Sequence, residues 1–203
     1  MAEFTAKDIQ KLRHDAGVGM MDAKNALTDA AGDLDEAFDL LRERGQAKMA
    51  KRADREASEG TIGTYIHMQA DRPVLGVLVQ LACETDFVAK SDDFRQIADD
   101  IAMHISWSNP WWVTRDQVDE GDVAKERELI VRQAAADGKP EQVIERIVEG
   151  KIESWYGQHV LYDQEFVNTE MFEGLVGDLV GELASKMGEN ISVKNFARIA
   201  VGE

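Results

Sequence analysis

The octapeptide Cys83-Glu84-Thr85-Asp86-Phe87-Val88-Ala89-Lys90 sets a carboxylate beside an aromatic ring, between a strongly apolar segment and a helical one. These residue types suit recognition better than bond-making. A phenylalanine buries roughly 150–250 Å² against a partner, and an aspartate offers a directional acceptor. Function often sits on such loops between rigid elements. Two readings stand at this point: Phe87 is a wedge for another protein, or it folds back on the local core while Asp86 caps the turn.

A second run, from Leu12-Arg13-His14-Asp15-Ala16-Gly17 through Val18-Gly19-Met20-Met21-Asp22-Ala23-Lys24 to Leu27, places two methionines after a glycine turn. Both cannot face one small core, so one is expected at the surface. There a flexible thioether adapts to a partner; the other reading is a methionine filling a gap at a helix start.

Other chemistry is missing from the chain. There is no G-x-x-x-x-G-K-[ST] loop to cradle phosphates, and Gly17-Val18-Gly19 joins two helical segments, so it reads as a turn. Histidines 14, 67, 104 and 159 have no metal-ligand spacing, and Cys83, the sole cysteine, can build neither a zinc site nor an internal disulfide. No acidic pair stands out as acid and base. A protein without metal, cofactor or catalytic residues of its own is expected.

The elements that must hold these residues follow from periodicity. Thr5 with Asp8 forms a variant capping box, and Ile9, Leu12 and Ala16 share a helical face. A second helix carries Met21, Ala23 and Leu27 to Gly32. Asp33 caps a third, with Leu34, Ala37, Phe38 and Leu41 on one stripe and Gly45 as its end. Residues 46–57 read as a charged helical connector, and within residues 1–56 Arg42, Arg44, Lys48, Lys51, Arg52 and Arg55 form a basic stretch read as a solvated face. Strands follow at 61–69, with Ile62, Thr64, Ile66 and Met68 on one face, and at 74–83, joined by Ala70-Asp71-Arg72-Pro73. Helices are predicted from Phe94 to Ile105, broken at Asn109-Pro110, then over 122–136, from Pro140 to Trp155, and from Phe172 to Met187. A strand over 191–201 closes the chain. The fold class is α+β: a small three-helix bundle (1–45), the connector (46–57), and a core (58–203) of a three-stranded antiparallel sheet packed with helices.

The chain has 203 residues, 44% apolar and 31% charged, as a globular protein does. No apolar run spans a bilayer and no signal-peptide order opens the chain, so a cytoplasmic location is expected. The net charge of −16 argues against nucleic-acid binding. It is uneven: residues 1–56 hold 10 basic and 12 acidic residues, a net of −2, which leaves −14 for the rest.

The run L-R-x-x-x-G-x-G-M-M-D-x-K-x-A-L strongly resembles the first signature of the elongation factor Ts family, and Thr85-Asp86-Phe87-Val88-Ala89-Lys90 its second. The likeness continues through Asp100 to Ile105, Gly138-Lys139-Pro140, Val148-Glu149-Gly150-Lys151, Gln164 to Val167, and Gly188-Glu189-Asn190-Ile191. Departures are Gln80 and Ala82, where Glu and Asn are usual, Ala23, where cysteine is frequent, and the unusual Trp107, Trp111 and Trp112.

The resemblance implies a nucleotide exchange factor, not an enzyme. It binds elongation factor Tu with GDP and promotes GDP release, with no cofactor. A scaffold or chaperone without exchange activity is the alternative. The ubiquitin-associated-like N-terminal bundle would dock through Arg13, Met20, Met21 and Lys24. Asp86 and Phe87 would enter the partner near its nucleotide, supported by Thr85 and Val88, with His67 a core contact. One core copy implies the short type, a homodimer binding two partner molecules, with neither nucleic acid nor membrane as partner.

Overall fold

The computed structural model describes residues 4–16, 18–52 and 54–203; the side chains of 46–51 also lie outside what it describes, and with them Gly17 of the expected turn and Lys48 and Lys51 of the basic stretch. The architecture is α+β, with three N-terminal helices followed by a three-stranded antiparallel sheet packed with helices. By contacts the chain forms two compact units. One comprises Met1–Gly60, Ala82–Phe94 and Val180–Ser192; the other comprises Thr61–Leu81, Arg95–Leu179 and Val193–Glu203.

The first unit opens with α1 (Ala6–Asp15), α2 (Met20–Asp29) and α3 (Leu34–Arg52). The capping box is present: Asp8 N–H donates to Thr5 Oγ1 at 3.3 Å, and Thr5 N–H to Asp8 Oδ2 at 2.7 Å. Leu12, Ala23, Ala26, Leu27, Ala30, Ala37 and Leu41 form the buried core, in which alanines let the helices approach closely. Helix α2 closes with Gly32 N–H on Leu27 O and Ala31 N–H on Thr28 O, a Schellman arrangement whose left-handed position is held by Ala31 at φ 52°. Asp33 then caps α3, accepting from the N–H groups of Asp35 and Glu36.

Three expectations fail here. Gly45 does not end α3, which runs on to Arg52. A single helical glycine costs only about 1 kcal/mol, and good helix formers follow it. Phe38 is exposed while Ala37 and Leu41 are buried. Nor is the basic stretch merely solvated: Arg44 pairs with Asp29, Arg52 Nη1 donates to Ala184 O at 3.1 Å, and Arg55 lies against Glu84.

The sheet has the order β1 (Glu59–Gln69), β2 (Arg72–Cys83), β3 (Ser192–Ala200), with β2 central. Ala70 and Asp71 both take left-handed φ, the two-residue turn whose twist suits a hairpin. Helix α5 (Asp92–Ser108) crosses β1 so closely that a Cβ at Gly63 would lie 2.1 Å from Ala98 O. Beside it Thr64 N–H donates to Asp99 Oδ1 at 2.7 Å.

That approach decides which face of β1 is covered. Gly63 is buried, whereas Ile62, Ile66 and Met68 are each more than half exposed. A Cβ on Gly76 would meet Ile66 Cδ1 at 3.2 Å, and Val201 N–H donates to Val74 O. Strand alternation then gathers Ile62, Ile66, Met68, Leu78, Ile199 and Val201 on one bare apolar face.

Helices α6 (Glu120–Ala136) and α7 (Glu141–His159) form a hairpin around Ile130, Val148 and Ile152. Pro140 caps α7 from outside instead of starting it, and α7 runs four residues beyond the expected Trp155. Trp111 and Trp112 donate their backbone N–H groups to His159 O, and the Trp111 ring sits 4.1 Å from that of His159. Helix α8 (Val176–Met187) starts after the expected Phe172, which stays in irregular chain. Among the described residues no helix is long and apolar enough to cross a membrane.

Candidate partner-docking site

Strand β2 delivers Cys83 to a fully buried position, and Ser91 Oγ accepts the Phe94 N–H at the start of α5. Between them lies a single helical turn, α4 (Asp86–Ala89). Its N-cap is Thr85, whose hydroxyl accepts the Val88 N–H at 3.4 Å. The turn presents Phe87 outward, with 84% of its surface exposed. Of the two readings of this loop, the folded-back one is therefore wrong in both parts: Phe87 faces solvent, and Thr85, not Asp86, caps the turn.

Asp86 is paired with Lys90, Nζ to Oδ2 at 2.6 Å. The hydrogen bond from Lys90 holds the Asp86 carboxyl below its ordinary range and raises Lys90 in turn. Both groups are open to water, so the pair is weak and screened by salt.

The loop is tied down from the other end of the chain. After α8, Gly188 turns left-handed at φ 75° and donates to Ala184 O, which brings Glu189 to the loop. Glu189 Oε2 accepts the N–H groups of Glu84 and Thr85 at 3.0 and 3.1 Å. Its Oε1 accepts the Thr85 hydroxyl at 2.6 Å. Reciprocally, Glu84 Oε1 accepts the Asn190 N–H at 2.6 Å and lies 3.4 Å from Arg55 Nη1, while Asn190 Nδ2 donates to Arg55 O at 2.8 Å.

Cys83 adds a donor from within, its thiol to Thr85 O at 3.2 Å. Burial, reinforced by the Glu189 carboxylate, pushes that thiol up to about 11. Protonated at neutral pH, it serves as a packing and hydrogen-bonding group, not a nucleophile.

In the N-terminal helices Arg13, Met20, Met21 and Lys24 are all exposed. Both methionines face solvent, where only one was expected to, because the buried stripe of α2 runs through Ala23, Ala26 and Leu27. Gly19 caps α2 without a side chain, and with Arg13, His14, Asp22, Arg44 and Lys186 it lines a cavity of about 530 Å³. These residues and the Thr85–Val88 loop belong to the first unit. His67 belongs to the second, exposed on β1 with its Nδ1 3.3 Å from Tyr65 Oη. Among the described residues no group of three His, Cys, Asp or Glu side chains is placed to hold a metal ion.

Sequence reasoning passed over Glu84, Glu189 and Arg55. The available signal was an acid directly after a helix-stopping glycine, but its partner lies 104 residues away.

Residues 5–203 match the family described as Elongation factor TS. The chain belongs to the elongation factor Ts family. Curated relatives named elongation factor Ts include those of Desulfotalea psychrophila, 47% identical over 200 residues and 98% of both chains, and Fervidobacterium nodosum, 44% identical over 201 residues, covering 99% of this chain and 100% of that one. A third, from Herpetosiphon aurantiacus, is 45% identical over 194 residues and 96% of both. Family membership makes the chain a translation elongation factor. Phe87, exposed on its tethered loop, is the large apolar side chain that this site leaves open to solvent.

Proposed function

We propose that the chain is the guanine nucleotide exchange factor of elongation factor Tu, speeding GDP release so that GTP can rebind in the cytoplasm. One observation carries this reading: a fully presented phenylalanine on a loop fastened beneath by a carboxylate.

Exchange is a linkage effect. A protein that binds the distorted, nucleotide-poor state of its partner more tightly weakens nucleotide binding by the same factor. Moving such an equilibrium across four decades takes about 5.5 kcal/mol of differential affinity. Burying Phe87 in the partner supplies about 2–3 kcal/mol of that, and polar contacts of the loop add to it. Phe87 wedges apart partner elements, while Asp86, freed from Lys90, disturbs the magnesium and phosphate site. Thr85 and Val88 hold the turn.

Residues 1–45 dock on the partner through Arg13, Met20, Met21 and Lys24, residues 46–57 connect, and residues 58–203 carry the exchange loop, the His67 contact and the dimer surface. Two chains pair through the bare sheet face, each taking one partner molecule. A contiguous apolar face of this kind fits the packing of two sheets about 10 Å apart.

The deciding measurement is release of fluorescent GDP from elongation factor Tu. Wild-type protein accelerates it, and Phe87→Ala loses at least tenfold of the acceleration. Binding without acceleration by the wild type would make the chain a scaffold.

A further inference from the structure

We infer that Glu189 is a positioning residue for exchange, the group that fixes the conformation in which Phe87 is presented. The inference rests on the exchange reading above and assigns the loop's geometry to a residue outside it.

Three observations carry it. First, one carboxylate takes three hydrogen bonds from two successive residues, the N–H groups of Glu84 and Thr85 and the Thr85 hydroxyl. A charged acceptor makes these bonds stronger than neutral ones. Second, the Thr85 hydroxyl has a single hydrogen. Donating it to Glu189 leaves the oxygen's lone pair aimed at the Val88 N–H, so Glu189 sets the orientation of the cap that closes the turn. Third, the tie is reciprocal. Glu84 accepts from Asn190 while Glu189 accepts from Glu84, so the two segments lock each other, and Arg55 joins both through its guanidinium and its carbonyl.

Phe87 itself contributes nothing to this lock, since its ring is in water. Its presentation depends on a turn of only four residues, too short to hold by its own ladder. A loop ordered beforehand does not pay its ordering entropy when its ring enters the distorted partner, a step that follows docking through the N-terminal residues. Glu189 therefore acts on the step in which the partner is distorted, more than on encounter, which the N-terminal residues serve.

Full-length Glu189→Gln and Glu189→Ala are compared with wild type in the GDP-release assay at rising factor concentration. The amide keeps the volume, but its NH₂ faces donors that the carboxylate accepted. The maximal acceleration falls about tenfold in both variants, while the half-saturating concentration stays within twofold. Combined with Phe87→Ala, Glu189→Gln adds much less than its own tenfold loss, because the ring it positions is gone and only the Asp86 share of the turn is left to lose. Amide hydrogen exchange at Thr85 and Val88 speeds up at least tenfold, with core amides of α5 unchanged.

An unaltered plateau, a loss confined to half-saturation, multiplying losses in the double variant, or unchanged protection at Thr85 overturns the inference. If wild type and Phe87→Ala behave as proposed and Glu189→Gln matches wild type, this inference alone fails. If the wild type accelerates nothing, the exchange reading fails with it.

Discussion

His104 Nε2 lies 2.9 Å from Gln164 Oε1 in the interior of the second unit, and the two tie α5 to the chain after α7. The ring is 1% exposed and stacks on Phe166 with centroids 5.6 Å apart. Its Nδ1 accepts the Val167 N–H at 3.2 Å, so a neutral ring carries its hydrogen on Nε2 and donates to Gln164. Gln164 completes its own bonding through Ser108 and the Gln158 carbonyl.

Burial holds His104 below its ordinary value of 6.5, partly offset by the bond to Gln164. Below that value the unfolded chain takes up the proton first. Stability contributed by the neutral ring is thus complete above about pH 6.5 and lost as pH falls through the lower folded value, by up to about 1.4 kcal/mol per pH unit. Urea unfolding at pH 5 and 7 reads the effect. His104→Leu costs about 2–3 kcal/mol at pH 7, by orphaning the Val167 N–H, and removes this increment of pH dependence.

Gly63 has no room for a methyl group, because the Ala98 carbonyl occupies the place of its Cβ. Gly63→Ala must push α5 off β1 and is expected to cost about 3 kcal/mol, the upper range for an overpacked core. Chemical denaturation measures it.

Ala31 and Ala70 sit at left-handed φ, where a Cβ is strained. Relief of about 1–2 kcal/mol outweighs the added freedom of glycine in the unfolded chain, about 0.5–1 kcal/mol. Ala31→Gly and Ala70→Gly are each expected to raise Tm by about 2 °C in calorimetry.

Cys83 is expected to resist thiol reagents in the native protein, because it is fully buried and held protonated. One thiol per chain becomes titratable only on unfolding. Rapid native labelling would contradict its placement.

The bare sheet face gives the pairing of two chains a direct test. Ile66→Asp and Leu78→Asp replace exposed apolar side chains, so the fold survives while association is lost. Sedimentation velocity distinguishes a monomer from a dimer, and circular dichroism reports the fold.

Much of the fold was legible because local chemistry and tertiary structure agree in it. Thr5 and Asp8 announce the first helix, and Phe94, Ala98, Ile101 and Ile105 do form the buried stripe of α5. Ile62, Ile66 and Met68 do share one face of β1, but hydropathy cannot show that this face is left bare, because only a glycine marks where a helix approaches the other. The length of α3 was misread because Gly45 was given the weight of a stop, though no left-handed turn is needed there. At the site, the loop and its aromatic were visible in the sequence. The support was not, since Glu189 reaches Thr85 only after Arg95–Leu179, the longest segment of the second unit, has been threaded between them.

The bond from Thr64 to Asp99 has one more effect. Strand β1 is an edge of the sheet, and its outward N–H groups are templates on which a further strand, from any chain, would grow. Asp99 occupies one of them and sets a negative charge beside it. Growth strand by strand along that edge, the route to fibres, is discouraged, whereas the pairing proposed for the broad face would close on itself as a two-fold pair and stop.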